Sequence, residues 1–173
     1  NDIVMQNCLM ANNTAGGNGG TIASLNGHGI VLRRSELTNS VSGQRGGGIS
    51  ASTLEMMDVS NTRLTSNQAG GAGGIFSGSD VGRLRWRSVV ARRNTGRVSG
   101  AVDIIGGRTL ELEDVEFVRN TATSDDSGAI QLWNIENIII NGTTFLRNSA
   151  GGSCGALSVD NATRLEIANS EVE

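Results

Sequence analysis

Two short signatures alternate along this 173-residue chain at a spacing of about 27 residues, which is a repeat length that builds solenoids, propellers or arrays. In the first, a mostly large apolar residue is followed three positions later by Asn or Ser: Met10/Asn13, Leu37/Ser40, Leu64/Asn67, Ala91/Asn94, Phe117/Asn120 and Phe145/Asn148. Ala91 is the one small residue in that leading position. The second signature is Gly, a small residue and a branched aliphatic: Gly20-Thr21-Ile22, Gly47-Gly48-Ile49, Gly73-Gly74-Ile75, Gly100-Ala101-Val102, Gly128-Ala129-Ile130 and Gly155-Ala156-Leu157.

A third element shows that the repeats are strands. Seven residues before each leading apolar position stands an alternating pair: Ile3/Met5, Ile30/Leu32, Met57/Val59, Leu84/Trp86, Leu110/Leu112 and Ile138/Ile140, with Leu165/Ile167 opening a seventh partial unit. Alternation with period two marks a strand with one buried face, and runs this short do not make helices. Segments such as Val115-Glu116-Phe117 and Thr143-Thr144-Phe145 place a small and a large residue inward around an outward one. The expected architecture is all-β: a right-handed, single-stranded parallel β-helix over residues 1–173, with about six coils and three short strands per turn.

One unit has too little apolar surface to bury itself, so stability must come from stacking units into a continuous core. Recurrent Asn at one position then has an architectural use. Its side chain tolerates the left-handed conformation of a sharp corner, and Asn stacked coil upon coil forms a hydrogen-bonded ladder. Asn13, Asn67, Asn94, Asn120 and Asn148 are the expected ladder. The Gly column suits a bend or a close backbone approach.

Phe117-Val118-Arg119-Asn120 with Gly128-Ala129-Ile130, and Phe145-Leu146-Arg147-Asn148 with Gly155-Ala156-Leu157, resemble the repeats of the polymorphic outer-membrane proteins. The alternation extends over nearly the whole chain, although Met, Leu, Leu and Ala replace Phe in its earlier units. The resemblance implies a right-handed parallel β-helix displayed at a surface, often in adhesion. It implies no catalytic residue.

Composition fits such a solenoid. With 25 Gly, 37% hydrophobic residues and 3% aromatics, the core is expected to be thin and aliphatic. A net charge of −3 and few aromatic platforms argue against nucleic-acid binding. No apolar run is long enough for direct membrane insertion as a helix. Residues 1 to 5 enter a repeat strand and 169 to 173 stop within one, so the chain reads as an uncapped excerpt of a longer protein. Its expected partners are other segments of that protein or neighbouring subunits.

Cys8 and Cys154 lie about five coils apart, roughly 24 Å at ~4.8 Å per coil, too far for a disulfide; both read as buried free thiols. Asn12, Asn141 and Asn161 each begin an Asn-x-Thr sequon and would accept glycans on a secretory route.

The competing class is a carbohydrate-active β-helix enzyme, a polysaccharide hydrolase or lyase. Gly27-His28-Gly29 and Asp125-Asp126 are the residue types a polygalacturonase-like hydrolase uses. They fall about four coils apart, ~19 Å, whereas paired catalytic groups should lie within ~10 Å. All 14 basic side chains are Arg, so no Lys completes such a set. For a calcium-dependent lyase, Asp58, Glu111, Glu113, Asp114 and Glu116 are the available acids. Register instead interleaves them with Arg85 and Arg87 in a charge-alternating ladder.

One column does not balance itself. Arg93, Arg119 and Arg147 precede the corner Asn in three successive units, with Arg92 and Arg97 nearby. Stacked like charges repel, so this column is the expected binding surface for an anionic partner such as an acidic glycan, unless loop acids such as Asp125 or Asp126 neutralise it. The sequence therefore reads as a non-catalytic structural, adhesive or assembly module of an extracellular or cell-surface protein, with no metal or cofactor.

Overall fold

Ile3, Ile30, Met57, Leu84, Leu110, Ile138 and Leu165 form one inward column, each the Cα partner of the next across parallel strand pairs. The computed structural model describes residues 2–124 and 126–173, which wind as a parallel β-solenoid of about six coils. One coil shows the plan: Ile22–Leu25, Gly29–Arg33, Glu36–Thr38 and Val41–Ser42 lie on four successive faces. In the middle coils the first three faces run together as the 17-residue strands Ile49–Thr65, Phe76–Arg92 and Val102–Val118. A 13-stranded sheet wraps those three faces, and a 6-stranded sheet of two-residue strands closes the fourth.

The fourth strand corrects the expectation of three per turn. Thr95–Gly96 and Thr121–Ala122 are too short and small-sided to show a hydrophobic period, yet their backbone groups pair between coils. The corners bring a second correction. Residues with positive φ form three columns at the corners of the large sheet, beside a separate glycine column of Gly19, Gly46 and Gly73. Asn26, Thr53, Asp80, Gly106, Asn134 and Asn161 turn the first corner. Asn7, Arg34, Asn61, Ser88, Asp114, Gly142 and Asn169 turn the next, and Asn12, Asn39, Ser66, Arg93, Arg119 and Arg147 the last.

The ladder asparagines are thus not the left-handed residues; each follows one. Asn94 is fully buried and accepts from the Asn67 backbone N–H at 2.9 Å, while its Nδ2 donates to Leu64 O and Asn120 Oδ1, both at 2.9 Å. Asn120 and Asn148 repeat the pattern. The ladder runs from Asn67 to Asn148, and Ser40 joins it only by donating its backbone N–H to Asn67 Oδ1. Asn13 stands apart, its Nδ2 donating to Thr21 Oγ1 at 3.3 Å.

Glycine register shifts by one residue in the third unit. Phe76 pairs with Ile49 and Val102, so the equivalent triplet is Gly74-Ile75-Phe76. At Gly20, Gly47, Gly74, Gly100 and Gly128 an added Cβ would collide with the backbone oxygen of the equivalent glycine one coil on. Gly73 instead belongs with Gly19 and Gly46 at positive φ.

The core is largely aliphatic, with Phe76 buried in it singly and three further rings forming a stack. Phe117 and Phe145 stack at 5.2 Å, and Trp86 continues the stack at 6.0 Å from Phe117. Trp86 therefore fills the space left by Ala91. Both cysteines are free but only partly buried, which corrects the expectation of buried thiols: Cys8 lies in a coil covered on one side only and Cys154 in a loop.

Candidate functional site

Charged side chains divide into a matched set and an unmatched one. On the second face, Asp58, Arg85 and Glu111 are register partners in successive coils, as the sequence indicates. Arg85 reaches Glu111 at 3.3 Å and Glu113 at 3.9 Å, while Asp58 is met diagonally by Arg33 and Arg87, each at 3.6 Å. Arg83 Nη2 donates to both Glu111 oxygens at 2.9 and 2.8 Å, a contact that the column pattern alone does not reveal. Such exposed pairs are individually worth little, but cross-strand alternation favours one coil register over its neighbours. Among the described residues no group of three His, Cys, Asp or Glu is placed to hold a metal ion.

Arg92, Arg93, Arg119 and Arg147 line a single cleft of about 210 Å³ whose remaining lining is Val118 and Leu146. Arg93, Arg119 and Arg147 are the left-handed residues of three successive corners, with φ of 55°, 54° and 52°. Their backbone N–H groups donate to Val118 O, Leu146 O and Glu173 O, so the main chain is satisfied and the guanidinium groups are exposed. Arg is a costly choice for this conformation, which Asn adopts more readily and does adopt at Asn12 and Asn39. None of the ion pairs among the described residues involves any of these four arginines. Arg97, which follows the short strand Thr95–Gly96, is not part of the cleft lining. Of the two loop acids, Asp126 Oδ2 accepts from Gln131 Nε2 at 3.0 Å, and Asp125 lies outside the described residues.

His28 does not meet an Asp pair. Its Nδ1 lies 2.6 Å from Asp2 Oδ1 and its Nε2 3.2 Å from Glu55 Oε2, bridging three coils. The hydrogen bond to Asp2, then the charges of Asp2 and Glu55, hold its pKa above 6.5. A second perturbed group escapes sequence inspection. Asp103 faces outward in register with Ser77 and Gln131, yet it is 3% exposed. Burial raises its pKa above 3.8, against the hydrogen bond from Ser77 Oγ at 3.2 Å and the charge of Arg45.

The sequon residues Asn12, Asn141 and Asn161 are all exposed. Asn161 Nδ2 donates to Asn134 Oδ1, and Asn141 Oδ1 accepts from Asn169 Nδ2.

Comparison of the chain with protein-family models, with curated proteins and with solved structures gives no match. The class is defined by the fold: a parallel β-solenoid, here with four arginines lining a cleft at one corner.

Proposed function

We propose that this chain is a non-catalytic adhesive or assembly module of an extracellular or cell-surface protein, and that the arginine cleft is its contact for an anionic partner. The carrying observation is the contrast in charge matching. The ladder arginines meet carboxylates, whereas four guanidinium groups converge on one cleft without an ion-pair partner among the described residues. Guanidinium forks suit carboxylate and sulfate groups, and side chains stepped at ~4.8 Å can follow a chain carrying such groups repeatedly. The likeness of the Phe-x-x-Asn and Gly-Ala-Ile units to polymorphic outer-membrane repeats supports a surface setting, as do three exposed sequons. The expected partners are an acidic or sulfated glycan, a neighbouring subunit, or another segment of the same larger protein.

The test uses Arg93→Asn, Arg119→Asn and Arg147→Asn together, because Asn already occupies this corner at Asn12 and Asn39. Wild-type protein is expected to bind immobilised heparin and polygalacturonate, and to elute with rising NaCl. The triple variant should keep or raise its melting temperature and lose at least about tenfold in affinity. Equal retention of variant and wild type would sink the reading.

A further inference from the structure

On the corner between the first and second faces, three concavities join end to end. One is lined by Asn26, Gly27, His28, Thr53 and Glu55. The next, of about 430 Å³, shares Thr53 and Glu55 and extends past Asp80, Gly82 and Arg108 to Asn134 and Glu136. The third shares Asn134 and Glu136 and ends at Asn161 and Thr163. Together they make a groove along the solenoid axis over five coil steps, roughly 24 Å at ~4.8 Å per step. Gly82 stands between Glu55 and Arg108 in the wall column, where the chain packs so closely on the coil before it that an added Cβ would meet the Glu55 carbonyl oxygen.

The rim carries the only exposed Trp or Phe ring among the described residues. Trp133 is 47% exposed, whereas Trp86, Phe76, Phe117 and Phe145 are at most 2% exposed. Trp133 directly precedes Asn134 of the groove wall and is in register with Ile105, which is 43% exposed and precedes the corner residue Gly106. An apolar pair on the edge of a polar trough presents a flat face beside hydrogen-bonding groups.

We infer that this groove binds a linear glycan without acidic groups, lying along the solenoid axis with a sugar ring stacked on Trp133. Two observations select this occupant. The backbone groups at the corner are already used between coils, as in Asn26 N–H to Ser52 O and Met56 N–H to His28 O, so no strand edge is offered to a peptide. Recognition must come from side chains, and amides, hydroxyls and carboxylates in the groove suit ring hydroxyls. Glu55, Asp80 and Glu136 outnumber Arg108 and His28 along the groove, which disfavours the acidic polymers that the arginine cleft would attract. The two sites are independent, so failure of either leaves the other standing.

The test is a titration of the 173-residue protein with hexasaccharides of the cello-, xylo-, manno- and chito-series and with oligogalacturonate, followed by tryptophan fluorescence and calorimetry. At least one non-acidic series is expected to bind and to change the emission of the exposed ring. Trp133→Ala should weaken that binding about tenfold or more, and Trp133→Phe should recover part of it. A Trp133→Ala protein with unchanged circular dichroism serves as the folding control. Absence of binding by all four non-acidic series at millimolar concentration overturns the inference. So does a preference for oligogalacturonate that survives Trp133→Ala.

Discussion

Asp103 shows how one residue can set the pH response of a fold built mostly from apolar columns. Its carboxyl is buried beside Ser77, so the folded chain holds the proton to higher pH than the unfolded chain does. Below the unfolded value near 3.8, both states are protonated and the group contributes no pH dependence. As pH rises from there towards the raised folded value, the unfolded state loses its proton first, and stability falls. Above the folded value the penalty is constant. Asp103→Asn should therefore raise the urea midpoint at pH 7 and lose that advantage below about pH 4. A variant no more stable than wild type at pH 7 would show that Ser77 and Arg45 fully compensate the burial. Nothing in the sequence marks this Asp: it occupies an outward position in an alternating strand, and its burial appears only in the fold.

The ring stack places the exceptions of the repeat in one physical account. Ala91 breaks the large-residue column, and Trp86 breaks a column otherwise held by Met5, Leu32, Val59, Leu112, Ile140 and Ile167. The two exceptions lie in the same coil, and the Trp86 ring continues the stack that Phe117 and Phe145 begin. Trp86→Leu alone should cost about 2–4 kcal/mol through the cavity it leaves. Ala91→Phe alone should cost about 1–3 kcal/mol by overpacking against Trp86. The double variant recreates the Leu112/Phe117 arrangement of the next coil and should recover at least half of the summed loss in a double-mutant cycle. Additive losses would mean that the ring and the vacancy are unrelated. Period and register were legible because inward columns repeat every coil; the Met57, Leu84 and Leu110 partners fall where alternation puts them. The Gly73/Gly74 ambiguity was not, because in Gly70-Gly71-Ala72-Gly73-Gly74 either glycine fits the pattern and only the pairing of Phe76 decides. The arginine column is legible as equivalent positions, but its convergence into a cleft depends on left-handed corners that residue preference alone places on the neighbouring Asn residues. The axial groove has no sequence signature, since its walls come from residues about 27 apart that keep no constant chemistry from coil to coil, as His28, Glu55, Gly82, Arg108, Glu136 and Thr163 show.

At the scale of the whole molecule, each coil touches only the coils above and below. The strand Phe76–Arg92 pairs with Ile49–Thr65 on one side and Val102–Val118 on the other, and those two do not pair with each other. Stability in such a stack is close to a sum of coil and interface terms, so it should be graded along the axis. Core residues in the middle coils, such as Ile75, Val89 and Phe117, are fully buried, whereas Leu165 and Ile167 are 47% and 51% exposed. In the 173-residue polypeptide, hydrogen exchange should therefore be slowest across 49–65, 76–92 and 102–118. Residues 164–168 and 171–172 should exchange about 100-fold faster or more. The arginine cleft crosses this gradient. Arg92 lies on a central strand, while Leu146 and Arg147 lie one coil from the chain's last strand, Glu171–Val172. An anionic polymer held by Arg92, Arg119 and Arg147 together couples a loosely held coil to a firmly held one. Added heparin should then slow exchange most at Thr144–Leu146 and Ser149–Ala150, with little change in Ile49–Thr65. Uniform slowing along the solenoid, or none at Thr144–Leu146, would show that the cleft does not hold the polymer across coils.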